Sequence, residues 1–137
     1  MANAKYDNLV PLLASGRLNW PADLIQAFLM EGAAFEAADL RISDVAGTRR
    51  GRVALPERSV RPTDGSFHGF PVSFNDVPAN TNFSVILAKD DGINDPLVLS
   101  FYDRNETNAV IRITVPGTLT VRPLGSDPLT PGTWVEV

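Results

Sequence analysis

Eleven prolines and ten glycines are scattered through the 137 residues and interrupt any long helical run. Proline removes an amide donor and clashes with the preceding helical turn, and glycine loosens a helix interior, so a chain punctuated this way is held to short elements. Many short strands are the natural outcome. A chain of this length has the size of one domain, residues 1–137, and a domain near this size buries roughly two-thirds of the surface its unfolded form exposes. With 44% hydrophobic and 20% charged residues it has the material for one core.

From residue 66 onward the pattern is β. Phe67, Gly69, Pro71 and Ser73 alternate with His68, Phe70, Val72 and Phe74, which predicts one strand with the second set on its apolar face. "NFSVILAK" and "PLVLSFYD" are apolar runs joined by "DDGIND", which reads as a turn, so they predict a hairpin at the centre of a sheet. "AVIRITVP" alternates through Val110, Arg112 and Thr114 against Ile111, Ile113 and Val115, and predicts a strand with one wet face. "TLTVRP" and "TWVEV" supply two more. Upstream, Asp64-Gly65 predicts a turn needing positive φ. The first 46 residues hold the only stretches that could be helical, and "FEAADLRISDV" predicts a short helical turn over 36–41, with Glu36 and Asp39 near its start. Residues 22–30 are ambiguous: Leu24, Ile25, Phe28 and Leu29 fit a helical face, whereas Ile25, Ala27 and Leu29 fit a strand face. About seven strands at spacings of about ten residues predict a mainly β fold, a single-domain antiparallel β-sandwich or barrel-like sheet. A short helical element in the N-terminal third completes it.

Charge and composition narrow the function. A net charge of −4 runs against a nucleic-acid partner, because phosphate binding rests on excess Lys and Arg. No stretch of about twenty apolar residues occurs, so no membrane partner is expected, and the N-terminus lacks the pattern of a signal peptide. With no cysteine, neither disulfides nor thiolate metal sites are available.

Candidate chemistry is sparse. His68 is the single imidazole, no serine lies in a Gly-x-Ser-x-Gly elbow, and a histidine at a strand start reads as a rim residue. The carboxylates Asp90, Asp91, Asp95, Asp103 and Glu106 sit in turns at opposite ends of the 96–102 strand, where they do not converge as an acid–base pair must. Asp90, Asp91, Asn94 and Asp95 offer oxygen donors to a cation, but their spacing is not that of a calcium-binding loop. There is neither a phosphate-binding loop nor a dinucleotide fingerprint, and no cofactor is expected. The reading is a protein that is not an enzyme, with no catalytic, cofactor-binding or metal site.

One charge cluster stands out. Arg49, Arg50, Arg52, Arg58 and Arg61 fall within thirteen residues of an otherwise acidic chain, and Pro56 and Pro62 limit pairing there to edges. Alternating on an edge strand, the arginines guard it against unwanted pairing; sharing a face, they make a basic patch for an acidic neighbour. Arg49, Arg50 and Arg52 are the first interface candidates. Trp20 and Trp134 are either core filler or interface anchors.

"YDNLVPLLASGRLNWPADLIQAFLM", "ISDV", "DGSFHGFPVSFNDVPANTNFSVILAKDDGINDPLVLSFYD" and "TPGTWVEV" together resemble a group of small structural proteins of tailed-bacteriophage virions. Gly16, Leu18 and Trp20, then Ser43, Asp44 and Val45, then Val72 and Phe74, then Ile86 to Gly92 and Leu97 to Asp103 occupy the places of that group's motifs. Where the group carries Tyr-Thr-Pro and then His, this chain has "FEAADLRI". The resemblance implies a strand at 22–30 and a virion component assembled in the host bacterial cytoplasm. It further implies, as partners, capsid or tail subunits and copies of itself on the particle. A capsid decoration or minor capsid protein is the leading expectation; a neck- or tail-associated protein and a carbohydrate-binding β-domain are the alternatives, the last needing exposed Trp20, Trp134, Tyr6 or Tyr102.

Overall fold

In the computed structural model, which describes residues 4–92, 95–104, 109–126 and 130–137, the chain is mainly β and all its ladders are antiparallel. Strands β1 (Ala4–Lys5), β2 (Ile25–Glu31), β3 (Thr48–Ala54), β7 (Phe83–Lys89) and β8 (Leu97–Tyr102) form one sheet in the order β1-β8-β7-β2-β3. Strands β4 (Arg58–Val60), β5 (Phe67–Gly69) and β10 (Gly132–Val135) form a second, in the order β10-β5-β4, and β6 (Val72–Val77) pairs with β9 (Gly117–Val121). Helix α1 is Leu9–Ala14.

The central strands β2, β7 and β8 are buried along almost their whole length, because the large sheet is covered on both faces. On one face Ile25, Ala27, Leu29, Val85, Leu87 and Leu99 pack against Trp20, Phe67, Phe74, Leu119, Val121 and Trp134 from the smaller sheets and the loop before β2. On the other, Phe28, Met30, Ile86, Val98 and Phe101 pack against Tyr6 and against Phe35, Ile42 and Val45 of the strap formed by residues 32–46. An antiparallel sheet usually keeps one wet face and alternates; these strands read as unbroken apolar runs because neither face is wet. That double burial resolves residues 22–30, whose seven-residue β2 is flanked by β7 and β3. The β7–β8 hairpin lies inside the sheet as expected, and Gly65 adopts φ +73° in the turn predicted for Asp64-Gly65.

Three expectations need correction. The helical turn expected over 36–41 is only a turn closed by the Asp39 amide on the Glu36 carbonyl (3.0 Å), and the helical residues lie at Leu9–Ala14 and in a 3₁₀ turn at Ile42–Asp44. The strap is drawn along β8 instead of coiling: Val98 donates to the Leu40 carbonyl and Ile42 to the Pro96 carbonyl. In α1, Leu9 and Leu12 point into the core, Pro11 occupies a first-turn position whose amide would have no helical partner, and Gly16 (φ +73°) ends the helix.

The single strand expected from 67 to 74 is two strands broken at Phe70-Pro71, and the buried residues in β5 are Phe67 and Gly69, with His68 half-buried. Proline supplies no amide for a ladder, and there the chain crosses from one small sheet to the other. "AVIRITVP" forms only isolated bridges, Val110 to Arg104 and Ile111 to Phe83. Both sides of β7 are taken by β2 and β8, and β8 ends opposite Val85, so only the slot beside Phe83 is open to this segment. Ile111 fills it and is buried, while Val115 is 72% exposed.

Four strands carry a register shift that sets residues on faces a two-residue period would not assign. In β8, Val98 and Phe101 reach one core although three apart; in β6, Phe74 and Val77 both face the other, with Asp76 at φ +56° between them. In β10 the shift falls at Trp134, and Trp134 and Val135 are both buried. The start of this strand packs closely: a Cβ on Gly132 would meet the Leu124 carbonyl oxygen at 2.4 Å, so no larger residue fits without moving backbone.

Arg58 ties the loop before β2 to the segment after β3. Its guanidinium donates to the carbonyls of Trp20 (2.7 Å), Leu55 (2.6 Å), Pro56 (3.0 Å), Pro21 (3.4 Å) and Asp23, and stands over the Trp20 ring. Burial lowers its pKa from the usual arginine value and neighbouring Asp23 partly offsets this, but guanidinium stays charged in proteins. Replacing Arg58 by Met keeps the aliphatic stem and orphans the carbonyls. We expect a loss of about 2–3 kcal/mol, read as a lowered midpoint in urea with an unchanged slope.

Where the strap meets Tyr6, the Tyr6 hydroxyl and one carboxylate oxygen of the strap's own Asp39 are shielded from solvent with no hydrogen-bond partner among the described residues. Burial, then the Asp39 charge, raises the Tyr6 pKa; burial, then Asp44 and Glu36, raises that of Asp39. An acid whose folded pKa exceeds its unfolded one holds its proton more tightly when folded, so its contribution to stability declines as pH rises from the unfolded value through the folded one. Asp39→Asn should therefore raise the thermal midpoint at neutral pH and leave it unchanged below the carboxylate range, which thermal unfolding at several pH values would check.

Candidate functional site

The arginine cluster divides into four situations. Arg58 is the interior clamp described above, and Arg61 closes the turn before β5, with Asp64 at 3.7 Å and Thr63 at 3.0 Å. Arg50 pairs with Glu31 of β2 at 3.0 Å, both side chains being more than a third exposed, so the pair contributes at most about 1 kcal/mol. Arg49 and Arg52 have no carboxylate within ion-pairing distance among the described residues.

These last two share a face because of a bulge. Arg52 lies opposite Phe28, Gly51 opposite Leu29 and Arg49 opposite Met30, so Arg50 is the additional residue. Phe28 and Met30 belong to the core beneath the strap, and Arg49 and Arg52 emerge on that side, the Arg49 guanidinium 4.7 Å from the centre of the Phe28 ring. Arg50 is turned toward Glu31. Gly51 faces the other core, where a Cβ would meet the Phe74 ring at 3.2 Å, and the small sheet stands close over β3 there. Strand β3 has a strand neighbour on one side only, and among the described residues its outer edge is unpaired. Edge guarding and a shared basic face, alternatives from sequence, are thus combined in one element.

Trp20 and Trp134 are not interface anchors. They are 1% and 3% exposed; Trp20 stacks on Phe67 (4.8 Å) and donates to the His68 carbonyl (2.9 Å), while Trp134 meets Tyr102 edge-on (5.1 Å) and donates to the Phe70 carbonyl (3.3 Å). Two-dimensional patterning could not separate core from interface for them; their indole N–H groups find carbonyls inside the fold. Tyr6 and Tyr102 are buried as well, so none of the four rings considered for sugar stacking is presented to solvent. Because these are the chain's two tryptophans, its intrinsic emission should be blue-shifted and resist iodide quenching until the protein unfolds. Strong quenching of the native form would contradict the packing.

His68 is half-buried and its Nε2 lies 2.9 Å from the Thr133 hydroxyl oxygen. The nearby Asp64 carboxylate is occupied by the Ser66 hydroxyl and amide (2.6 and 2.9 Å), and the Ser66 hydroxyl chiefly holds its pKa below the usual range. No carboxylate pairs with the imidazole among the described residues. Asp90, Asp91 and Asp95 stand at one end of the β7–β8 hairpin and Asp103 at the other, separated by a strand of about 20 Å. Glu106 and Asn94 lie outside the described residues. Asp90 accepts from the Gly92 amide (2.8 Å) and from the Gln26 amide group (3.4 Å). Among the described residues no three carboxylates or imidazoles converge as a metal-binding group.

Comparison of the chain with protein-family models, with curated proteins and with solved structures returns no match. The site is therefore described by its own chemistry: an exposed, cationic strand edge on a sheet buried on both faces.

Proposed function

We propose that this protein is a non-catalytic structural component of a tailed-bacteriophage virion, a capsid decoration or minor capsid protein that docks on repeated sites of the shell through β3. The phage context rests on the resemblance of the segments quoted above. The observation that carries the docking role is the seven-residue edge β3, which displays Arg49 and Arg52 side by side with no carboxylate partner among the described residues. Its mechanism is complementarity: a lattice presents many equivalent sites, and contacts of modest individual strength, repeated over a symmetric shell, stiffen the assembly. The sheet buried on both faces supports this role by holding the edge on a rigid element, so little ordering is needed on docking.

The test is a mass-spectrometric copy count in purified particles. Hundreds of copies would agree with a shell protein, about a dozen would move the protein to the neck, and none would end the proposal. Reversing Arg49, Arg50 and Arg52 together to Glu should abolish incorporation of protein that circular dichroism shows to be still folded. Unchanged occupancy would remove β3 from the interface.

A further inference from the structure

We propose that the outer edge of β3 takes an extended acidic segment of a different protein as a sixth strand, and that the segment carries carboxylates at alternate positions. This deepens the docking reading of β3 and rests on it.

Three features converge on that ligand. Among the described residues no strand is hydrogen-bonded to the outward backbone groups of Thr48–Ala54, so an incoming chain finds a row of donors and acceptors. The bulge at Arg50 sets Arg49 and Arg52 opposite Met30 and Phe28, two residues apart on β2. A regular strand on the other side of β3 meets the two guanidinium groups with side chains that are likewise two apart, giving an Asp/Glu-x-Asp/Glu pattern. Arg50, already paired with Glu31, adds little to that face. Finally, the two cations have no carboxylate partner among the described residues, in a chain of net charge −4, which identifies the complementary charge.

A second copy of this chain is disfavoured at the same edge in the registers centred on Gly51 and on the 50–51 peptide. Antiparallel pairing of β3 with itself about Gly51 sets Arg50 against Arg52 of the other copy, and pairing about the 50–51 peptide sets Arg49 against Arg52. Like charges directly opposite destabilise a ladder. In these two registers the arginines disfavour self-pairing while admitting an acidic strand, so protection and recognition are one device.

The experiment is a titration of the intact protein with fluorescein-labelled peptides of Val and Thr carrying Asp at two alternate positions, read by anisotropy. Comparison peptides carry Lys at those positions, set the two Asp next to each other, or N-methylate the backbone amides on one edge. Saturable binding of the alternate-Asp peptide is expected, weakening as salt rises and falling about tenfold or more with R49E/R52E. R50E should bind nearly as wild type, and N-methylation should abolish binding. No saturable binding of the alternate-Asp peptide would overturn the inference, as would equal binding of the N-methylated peptide, which would make β3 a plain electrostatic patch. Equal or tighter binding of an oligonucleotide of the same charge would overturn it too. Because R49E/R52E could disturb the fold, the N-methylated peptide tests the same point on unaltered protein. Peptide failure with copies still counted in particles would reject the acidic strand alone, whereas absence from particles would reject the virion role whatever the peptides do.

Discussion

Burial of the central sheet on both faces governs the rest of this structure. Once β2, β7 and β8 turn apolar side chains to both sides, something has to cover each of them, and a single sandwich partner covers only one. The chain meets this with two small sheets on one face and the 32–46 strap on the other. The strap is anchored by backbone hydrogen bonds at the start of β8 and by Phe35, Ile42 and Val45. Tyr6 and Asp39 show the tension in the arrangement: polar atoms are trapped at a cover whose main task is apolar. Arg58 serves a similar structural end on the opposite side, gathering carbonyls from two loops that no strand could satisfy.

The same architecture sets the character of the edges. A sheet with apolar strands at its centre and an unpaired border is an invitation to aggregate, and β3 answers with three arginines in seven residues. The bulge then sorts them. Without it, Arg50 and Arg52 would share a face and Arg49 would stand on the other; with it, Arg49 and Arg52 stand together above the Phe28 core, and Arg50 turns to Glu31. An edge guarded by charge thereby carries two of its cations on one face.

The contrast between arginines and aromatics is instructive about where function resides in such a module. The tryptophans and tyrosines, the residues most enriched in binding hot spots, are spent on the interior, where their polar ends reach backbone carbonyls or, for Tyr6, none. What the edge β3 itself presents is backbone and charge. Interfaces built on charge gain specificity and association rate more than individual affinity.

The amino-acid sequence by itself determined that this chain is mainly β, where its central hairpin lies, that Asp64-Gly65 makes a turn, and that its arginines cluster between residues 49 and 61. Those facts are local, set by proline and glycine placement, turn residues and runs of β-branched and apolar side chains. It left residues 22–30 open because a strand covered on both faces loses the alternation that distinguishes it from a buried helix. It misplaced the helical turn near 36–41 and the strand at 110–115, because the hydrogen-bonding slots of β8 and β7 decided those segments, and slots belong to the assembled sheet. Only the tertiary structure decided which arginines stand together and that both tryptophans are interior. Register shifts in β3, β6, β8 and β10 insert an additional residue without any mark in the pattern, and each reverses the faces that the side chains beyond it take.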